Sequence, residues 1–399
     1  MTVEYDILVV GAGMAGAAMA CTLAECGLRI AVIEHRAFTS ASTAEHFDPR
    51  VVALTIASQG FLERLDVWSS ITRQRTGPFS AMHVWDATGT GSIDFAACEV
   101  GQSVLGHIVE NSVVTEALLD KMQALDIELI CPASVASLTL ADGVGGKTML
   151  VLDDGRALAA DLVIAADGAQ SSLRAMAAME TREWSYYHRA IVTTVTTELP
   201  HQFTAWQRFS EEGPLAFLPL CNEQGNTNIC SIVWSLKETL AEQIMSLDDD
   251  EFRLRLGETF EHRLGEIVTV DKRWSFPLQQ RHSKSYFRPG LVLIGDAAHT
   301  IHPLAGQGIN LGFQDVRVLG EEIRRACQRQ IPLTHVSILQ RYQRRRLGKN
   351  LAMMAVMEGF KQLFEQQALP FRWVRNEGMN QINRFSLLKN RIMQQAMGL

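Results

Sequence analysis

The stretch Ile7-Leu8-Val9-Val10-Gly11-Ala12-Gly13-Met14-Ala15-Gly16 reads as a short apolar strand running into glycines spaced Gly-x-Gly-x-x-Gly. A brief, β-branched, uninterrupted apolar run suits a strand buried on both faces of a parallel sheet. Gly11 permits the tight turn, Gly13 lets backbone approach a pyrophosphate, and Gly16 lets helix meet strand. Residues 14–26, rich in Ala and Met, predict the helix. Gly27 ends it, and residues 29–33 make the next strand, closing at Glu34. Glu34 then sits where a carboxylate accepts two ribose hydroxyls, while the helix N-terminus offers free N–H groups and the positive end of its dipole to phosphates. The competing reading is a glycine-rich helix start that only packs closely. This one site does not separate NAD from FAD.

Two more strand ends make that separation. Leu291-Val292-Leu293-Ile294 runs into Gly295-Asp296-Ala297-Ala298-His299, followed by Pro303 and Gly306-Gln307-Gly308-Ile309-Asn310. Residues 162–166 run into Asp167-Gly168-Ala169-Gln170-Ser171-Ser172-Leu173-Arg174, of pattern Asp-Gly-x-x-Ser-x-x-Arg. Asp296, at a strand end, is placed to bond ribityl hydroxyls. Residues 306–310 start a helix whose N–H groups would face a flavin pyrimidine and stabilise negative charge there. Taken singly, Asp296 is a turn acid and the Asp167 motif a turn with a helix cap. Three strand ends together point to one long cofactor, FAD, and to Gly11, Gly13, Gly16, Glu34, Asp167, Gly168, Asp296, Gly306, Gln307, Gly308 and Asn310 as its binding set.

Composition leaves room for this and little to exclude it. The chain has 399 residues, 47% hydrophobic and 20% charged, enough for two ordinary globular domains. Net charge is -7, but residues 317–399 hold 15 Lys and Arg against 5 Asp and Glu, and the rest 22 against 39. An acidic body gives no basis for a nucleic-acid partner. The basic end fits an anionic surface, a partner, or merely a solvated helical face. Seven scattered cysteines form no metal spacing, so no metal site is expected, and they read as reduced thiols in a cytosolic compartment. No signal peptide is expected, since the first strand begins by about Tyr5. Residues 8–33 are too broken by glycines, Glu25 and Arg29 to span a membrane.

Residues 126–131, 134–140 and 147–152 read as strands, with Asp153-Asp154-Gly155 a hairpin signal. From about His188 the texture changes. Residues 188–197, 203–209, 214–220 and 228–236 alternate like strands of a larger antiparallel sheet. Helices follow near 238–245 and 249–262, then a strand near 268–280. From Gly308 onward the chain is mostly helical, with breaks at Pro332 and Pro370. The expected fold is α/β: a discontinuous Rossmann-like FAD-binding domain (1–180 and 286–330), an inserted, mainly antiparallel β-sheet substrate domain (181–285), and a helical C-terminus (331–399).

The three motifs together resemble the single-component FAD-dependent aromatic hydroxylases. Leu105-Gly106-His107-Ile108-Val109-Glu110-Asn111, Gly213-Pro214-Leu215-Ala216-Phe217-Leu218-Pro219-Leu220, Phe276-Pro277-Leu278 and residues 295–312 resemble their ubiquinone-biosynthesis hydroxylase subfamily more narrowly. The resemblance implies that NAD(P)H reduces FAD and that O₂ supplies one oxygen to the ring of a polyprenylated phenol or benzoquinol. It places Pro303 and residues 304–308 at the reacting edge of the flavin, and Arg50 near the pyrophosphate and the incoming NAD(P)H; Arg50 is otherwise a surface ion pair. Where many relatives place a flavin-contacting Arg, this chain has Glu110 and Asn111, so that contact is not carried over. His299 and His302 are candidate bases for phenol deprotonation, or structural turn histidines. Phe217, Leu218, Pro219 and Trp234 are candidate walls for a prenylated ring, or sheet core. The tail's Arg341, Arg344, Arg345, Arg346 and Lys349, beside Met353, Met354, Met357 and Phe360, fit peripheral contact with an inner membrane, a ubiquinone-biosynthesis complex, or packing on the cofactor domain. Other readings of the whole chain are a flavoprotein reductase or oxidase of another lipophilic substrate, and a flavin-bearing scaffold without turnover.

Overall fold

The structure is a computed structural model that describes residues 2–38, 47–141, 145–222, 224–300, 308–365 and 369–398. Its first sheet is built on strand Thr2–Val10, which lies between parallel neighbours Ala157–Ala165 and Ile30–Ile33. Leu291–Leu293 extends the sheet on one side and Glu128–Ile130 on the other, both parallel. Helix Met14–Leu23 packs between helices Asn111–Ala124 and Gly308–Gln328. Leu8, Val9, Met19, Leu118 and Val163 are fully buried in the shared core, as expected of strands that read as unbroken apolar runs.

Register decides where the site falls. Val10 pairs with both Ile33 and Ala165, and Ala165 pairs with Leu293. The residues that follow these pairs, Gly11, Glu34, Ala166-Asp167 and Ile294-Gly295, therefore form one row at the carboxyl ends of the strands. Gly11 N–H still donates to Ile33 O (2.8 Å), Ala166 N–H to Val10 O (2.8 Å) and Ile294 N–H to Ala165 O (3.0 Å), so the row is held as rigidly as the sheet.

The second sheet runs in the order His299–Thr300, Trp274–Ser283, Thr181–Thr197, Ile229–Lys237, Leu215–Leu220, Thr204–Phe209, Ala81–Asp86, Ser92–Ala96. All its pairings are antiparallel except Thr204–Phe209 with Ala81–Asp86, while Ile267–Val270 pairs separately on Thr181–Thr197. The sheet reaches beyond the 181–285 insert, because strands 81–86, 92–96 and 299–300 come from segments flanking it in sequence. It is thereby laced to the first layer rather than hung from it. Helices Glu238–Ser246 and Asp249–Thr259 cover one face.

Of the C-terminal helices, Ser337–Glu365 packs on Gly308–Gln328. Helix Leu369–Arg384 lies along the edge strand Ser92–Ala96. There Asn376, Asn380 and Asn383 accept from the backbone N–H groups of Gly91 (2.6 Å), Ser92 (3.4 Å) and Asp94 (3.2 Å), satisfying an edge that would otherwise recruit another strand. The break expected at Pro370 is there: one helix ends at Glu365 and the next begins at Leu369, with Pro370 in its first turn, where a missing N–H costs nothing. Among the described residues no helix is long and apolar enough to cross a membrane. All seven cysteines are free thiols.

Candidate functional site

The three fingerprint glycines do different work. Gly11 has φ +100°, and a Cβ there would lie 2.4 Å from Ala166 O; a Cβ on Gly16 would lie 1.8 Å from Gly11 O. The fold itself requires both. Gly13 has nothing within 4 Å of its Cβ position, although it lines a cavity of about 510 Å³. Only something occupying that cavity would need Gly13 bare. The helix beginning at Met14 has no side-chain cap, so its first N–H groups are left for an anion. Glu34 Oε2 accepts from Ala12 N–H (2.8 Å) and Oε1 from Arg36 N–H (3.1 Å). That fixes the carboxylate at the end of its strand with lone pairs to spare for hydroxyls.

The second motif is tied to the third. Ser171 Oγ caps a short helix by accepting from Arg174 N–H (3.0 Å). The buried Arg174 guanidinium donates to Ala169 O and Ala297 O, both at 2.8 Å. Burial, with Arg281 nearby, pushes its pKa down from the ordinary arginine value. Asp167 Oδ2 accepts from Ser172 Oγ and Leu173 N–H at 3.2 Å each, while its Oδ1 is buried without a protein partner. Asp296 lines the cavity with its side chain exposed to it. The protein packed around the cavity wall pushes its carboxyl above the usual range, opposed by the attraction of His299.

Gly13, Asn111, Gly168, Asp296 and Gly308 line this one cavity, with Arg50 at its rim. The Arg50 side chain is mainly exposed and stands 3.9 Å from Asp48. Asn111, from which no contact was expected, holds its Oδ1 buried and unpartnered against the cavity. Open glycines, an uncapped helix start and two orphaned carbonyl or carboxylate oxygens fit a phosphate-bearing, hydroxyl-rich cofactor, and the volume is within the range for cofactor sites. His302, Pro303, Gly306 and Gln307 lie outside the described residues.

Two of the expected site residues have their side chains engaged within the protein. Asn310 is buried, and its side chain is spent on the protein: Oδ1 accepts from Ser58 Oγ (2.6 Å) and Thr55 N–H (3.1 Å), and Nδ2 donates to Ala53 O (2.8 Å). Its side chain positions strand Val51–Thr55, so a contact with cofactor falls to the backbone N–H groups at this helix start. His299 is 1% exposed, and its Nε2 meets Asp315 Oδ2 at 2.5 Å. Asp315 also accepts from Gly295 N–H (3.0 Å) and from Arg346 Nε (2.6 Å). His299 is thus a buried strut behind the Gly295–Ala297 turn, not a base facing substrate. The acid at 315 escaped the sequence reading, and Arg346, expected only as one of a basic cluster, is its buried partner. The available signal was an acid at 315 within the apolar stripe Leu311, Val318, Leu319, which needs a buried cation as partner.

A second cavity, about 170 Å³, lies under the second sheet and shares Val51, Phe276 and Leu278 with the first. Leu218 lines it with Ala216, Val192 and Val233. Phe217 and Trp234 do not, a correction that follows from strand alternation. Phe217 is 0% exposed and stacks on Phe260 at 3.6 Å between ring centroids, while Trp234 packs against Phe252. Both belong to the opposite, helix-covered face. Pro219, in step with Phe217, also does not line the cavity. Ser235 and Gln207 are polar residues in the wall, and among the described lining residues none is titratable. Such a cavity orients a flat apolar molecule and keeps water away; it does not shuttle protons.

A parallel sheet whose strand ends frame a cofactor-sized cavity, with an apolar cavity set against it, together with the likenesses that follow, makes this an FAD-dependent aromatic-ring monooxygenase using NAD(P)H and O₂. The model of the FAD binding domain family matches residues 4–356. The chain belongs to that family and, within it, to the ubiquinone-biosynthesis hydroxylases. It is 35% identical over 395 residues to 3-demethoxyubiquinol 3-hydroxylase of Escherichia coli (99% of this chain, 98% of the other). It is 32% identical to a ubiquinone hydroxylase of Rhodospirillum rubrum (98% and 89%) and 30% to the mitochondrial ubiquinone biosynthesis monooxygenase of Xenopus tropicalis (98% and 92%). The fold is that of p-nitrophenol 4-monooxygenase from Pseudomonas putida, with TM-score 0.79 at 18% identity over 100% and 99% of the two chains.

Proposed function

We propose that this enzyme hydroxylates the aromatic ring of a polyprenylated phenol or benzoquinol in ubiquinone biosynthesis. One oxygen atom of O₂ goes to the ring carbon and the other leaves as water, with NAD(P)H supplying two electrons. The observation that carries this reading is the shared wall: Val51, Phe276 and Leu278 border both the cofactor cavity and the apolar one, so a ring in the second lies against a flavin in the first. Bound FAD would supply electron transfer and oxygen activation. Gly13 and the uncapped helix start would hold its phosphates, Glu34 its ribose and Asp296 its ribityl hydroxyls. Val51, Ala216 and Leu218 would exclude water, and Ser235 and Gln207 would set the ring's orientation through its oxygens.

Purified FAD-loaded enzyme given NAD(P)H, a prenylated phenol and ¹⁸O₂ should yield hydroxylated product carrying one ¹⁸O. Label arriving from H₂¹⁸O instead, or NAD(P)H oxidation with no hydroxylated product from any prenylated ring, would remove the reading.

The same reading puts the chain at the cytoplasmic side of the inner membrane, where such substrates reside. Arg341 and Arg345 pair with Glu322, and Arg346 with Asp315, so these three serve the interior. Contact with anionic lipid or with a partner enzyme of the pathway would fall to the exposed Arg344 and Lys349 beside exposed Leu351 and Val356. Co-sedimentation with anionic vesicles that survives charge reversal at both Arg344 and Lys349 would exclude this face.

A further inference from the structure

The ring cavity does not end at its own walls. A third cavity of about 100 Å³ shares Ala53, Phe79 and Met82 with it and continues away from the cofactor. Its far side is the C-terminal helix Ser386–Met397. Met393 and Met397, one turn apart and each 3% exposed, form the floor; Ile392 and Ala396, also one turn apart, line the cavity and are exposed. The helix is anchored where it forms this wall. Lys389 pairs with Glu99 at 2.8 Å, Asn390 Nδ2 donates to Glu99 O (3.1 Å), and Gly398 is set so closely against Ala57 that an added Cβ would lie 2.7 Å from it.

We propose that the isoprenoid tail of the substrate leaves the ring cavity past Phe79 and Met82, crosses Met393 and Met397, and emerges between Ile392 and Ala396. This rests on the reading of the substrate as a tailed ring. Branched isoprene units need an apolar wall that adapts to irregular methyl groups, and unbranched, polarisable methionines supply one. The competing exit is a cavity of about 330 Å³ that shares Pro49 with the ring cavity. Asp271 and Lys272 border it, and an alkyl chain there would strip water from charges without replacing their partners. Because Ile392 and Ala396 stand at an opening, this route ends in a mouth rather than a closed end, and tails of different lengths would fit with their outer units outside.

Two measurements test the route on the full, FAD-loaded chain. The first compares a benzoquinol bearing a long isoprenoid tail with the same ring bearing a methyl group. Ala396→Trp and Ile392→Trp, both at exposed positions, should lower the kcat/KM ratio of tailed over methyl ring about tenfold, as a blocked apolar path would. The second needs no turnover: a ring whose tail carries a diazirine is bound without NAD(P)H and irradiated, and the label should fall on residues 386–398. An unchanged kcat/KM ratio in both variants, or label on residues 271–274, would overturn the route while leaving the proposed activity standing. A wild-type enzyme that hydroxylates the methyl ring but neither binds nor turns over the tailed one would overturn the substrate reading instead.

Discussion

Gly13→Ala and Gly16→Ala should fail in opposite ways. At Gly13 the backbone is extended, with φ -67° and ψ 178°, which any residue adopts, and nothing lies within 4 Å of the added methyl. The apoprotein should lose no more than about 1 kcal/mol, the cost of a poorer residue at a helix N-cap. Gly13 does line the cofactor cavity, so the added methyl would meet what fills it rather than protein. Forcing a methyl into a filled site costs about 1–3 kcal/mol, which is about 5- to 150-fold in the Kd for FAD. At Gly16 the methyl would stand 1.8 Å from Gly11 O, so helix and strand must part by more than an ångström. That should remove about 4 kcal/mol or more from a fold whose whole stability is about 5–15 kcal/mol. The assay is paired: urea unfolding of the flavin-free protein, and quenching of FAD fluorescence on titration. An apo Gly13→Ala that unfolds as early as Gly16→Ala, or a Gly13→Ala that binds FAD as tightly as wild type, would refute the division of labour among these glycines.

Strand alternation predicts that Phe217→Ala lowers the urea midpoint, by about 3–5 kcal/mol of stability, while Leu218→Ala raises KM for the ring; a larger KM effect at Phe217 would reverse the assignment. Asn310→Ala should weaken FAD binding and substrate binding together, because it frees the strand bearing Val51 and Ala53, which a merely cofactor-contacting residue would not do. Asp315→Asn leaves Arg346 buried without its anion and should destabilise the chain by about 3–5 kcal/mol in urea unfolding at neutral pH. Burial, helped by His299, lowers the pKa of His282 to about 4. The unfolded chain therefore binds the extra proton between that pH and about 6.5, and stability should rise with pH across this window. His282→Asn should flatten the rise, measured as unfolding free energy against pH.

Local chemistry alone determined the cofactor layer of this protein. Parallel strands buried on both faces have to be short apolar runs, and the turns that leave them need glycine or an acid at fixed offsets. Gly11, Glu34, Asp167 and Gly295 therefore announce themselves in one dimension, and so did the alternating strands between 188 and 236. Facing was a matter for the tertiary structure. Whether Phe217 or Leu218 meets the substrate depends on which side of a half-buried sheet the helices 238–246 and 249–259 come to cover, and period-two alternation is the same on either choice. Ala53, which anchors Asn310, and Asp315, which anchors His299 and Arg346, lie 16 to 257 residues away from them along the chain. No local pattern tells a buried strut from a catalytic base until folding brings Asp315 against His299. The junction of the cavities through Val51, Phe276 and Leu278, on which the function rests, is set by how two sheets meet, and that is a property of packing rather than of any one segment.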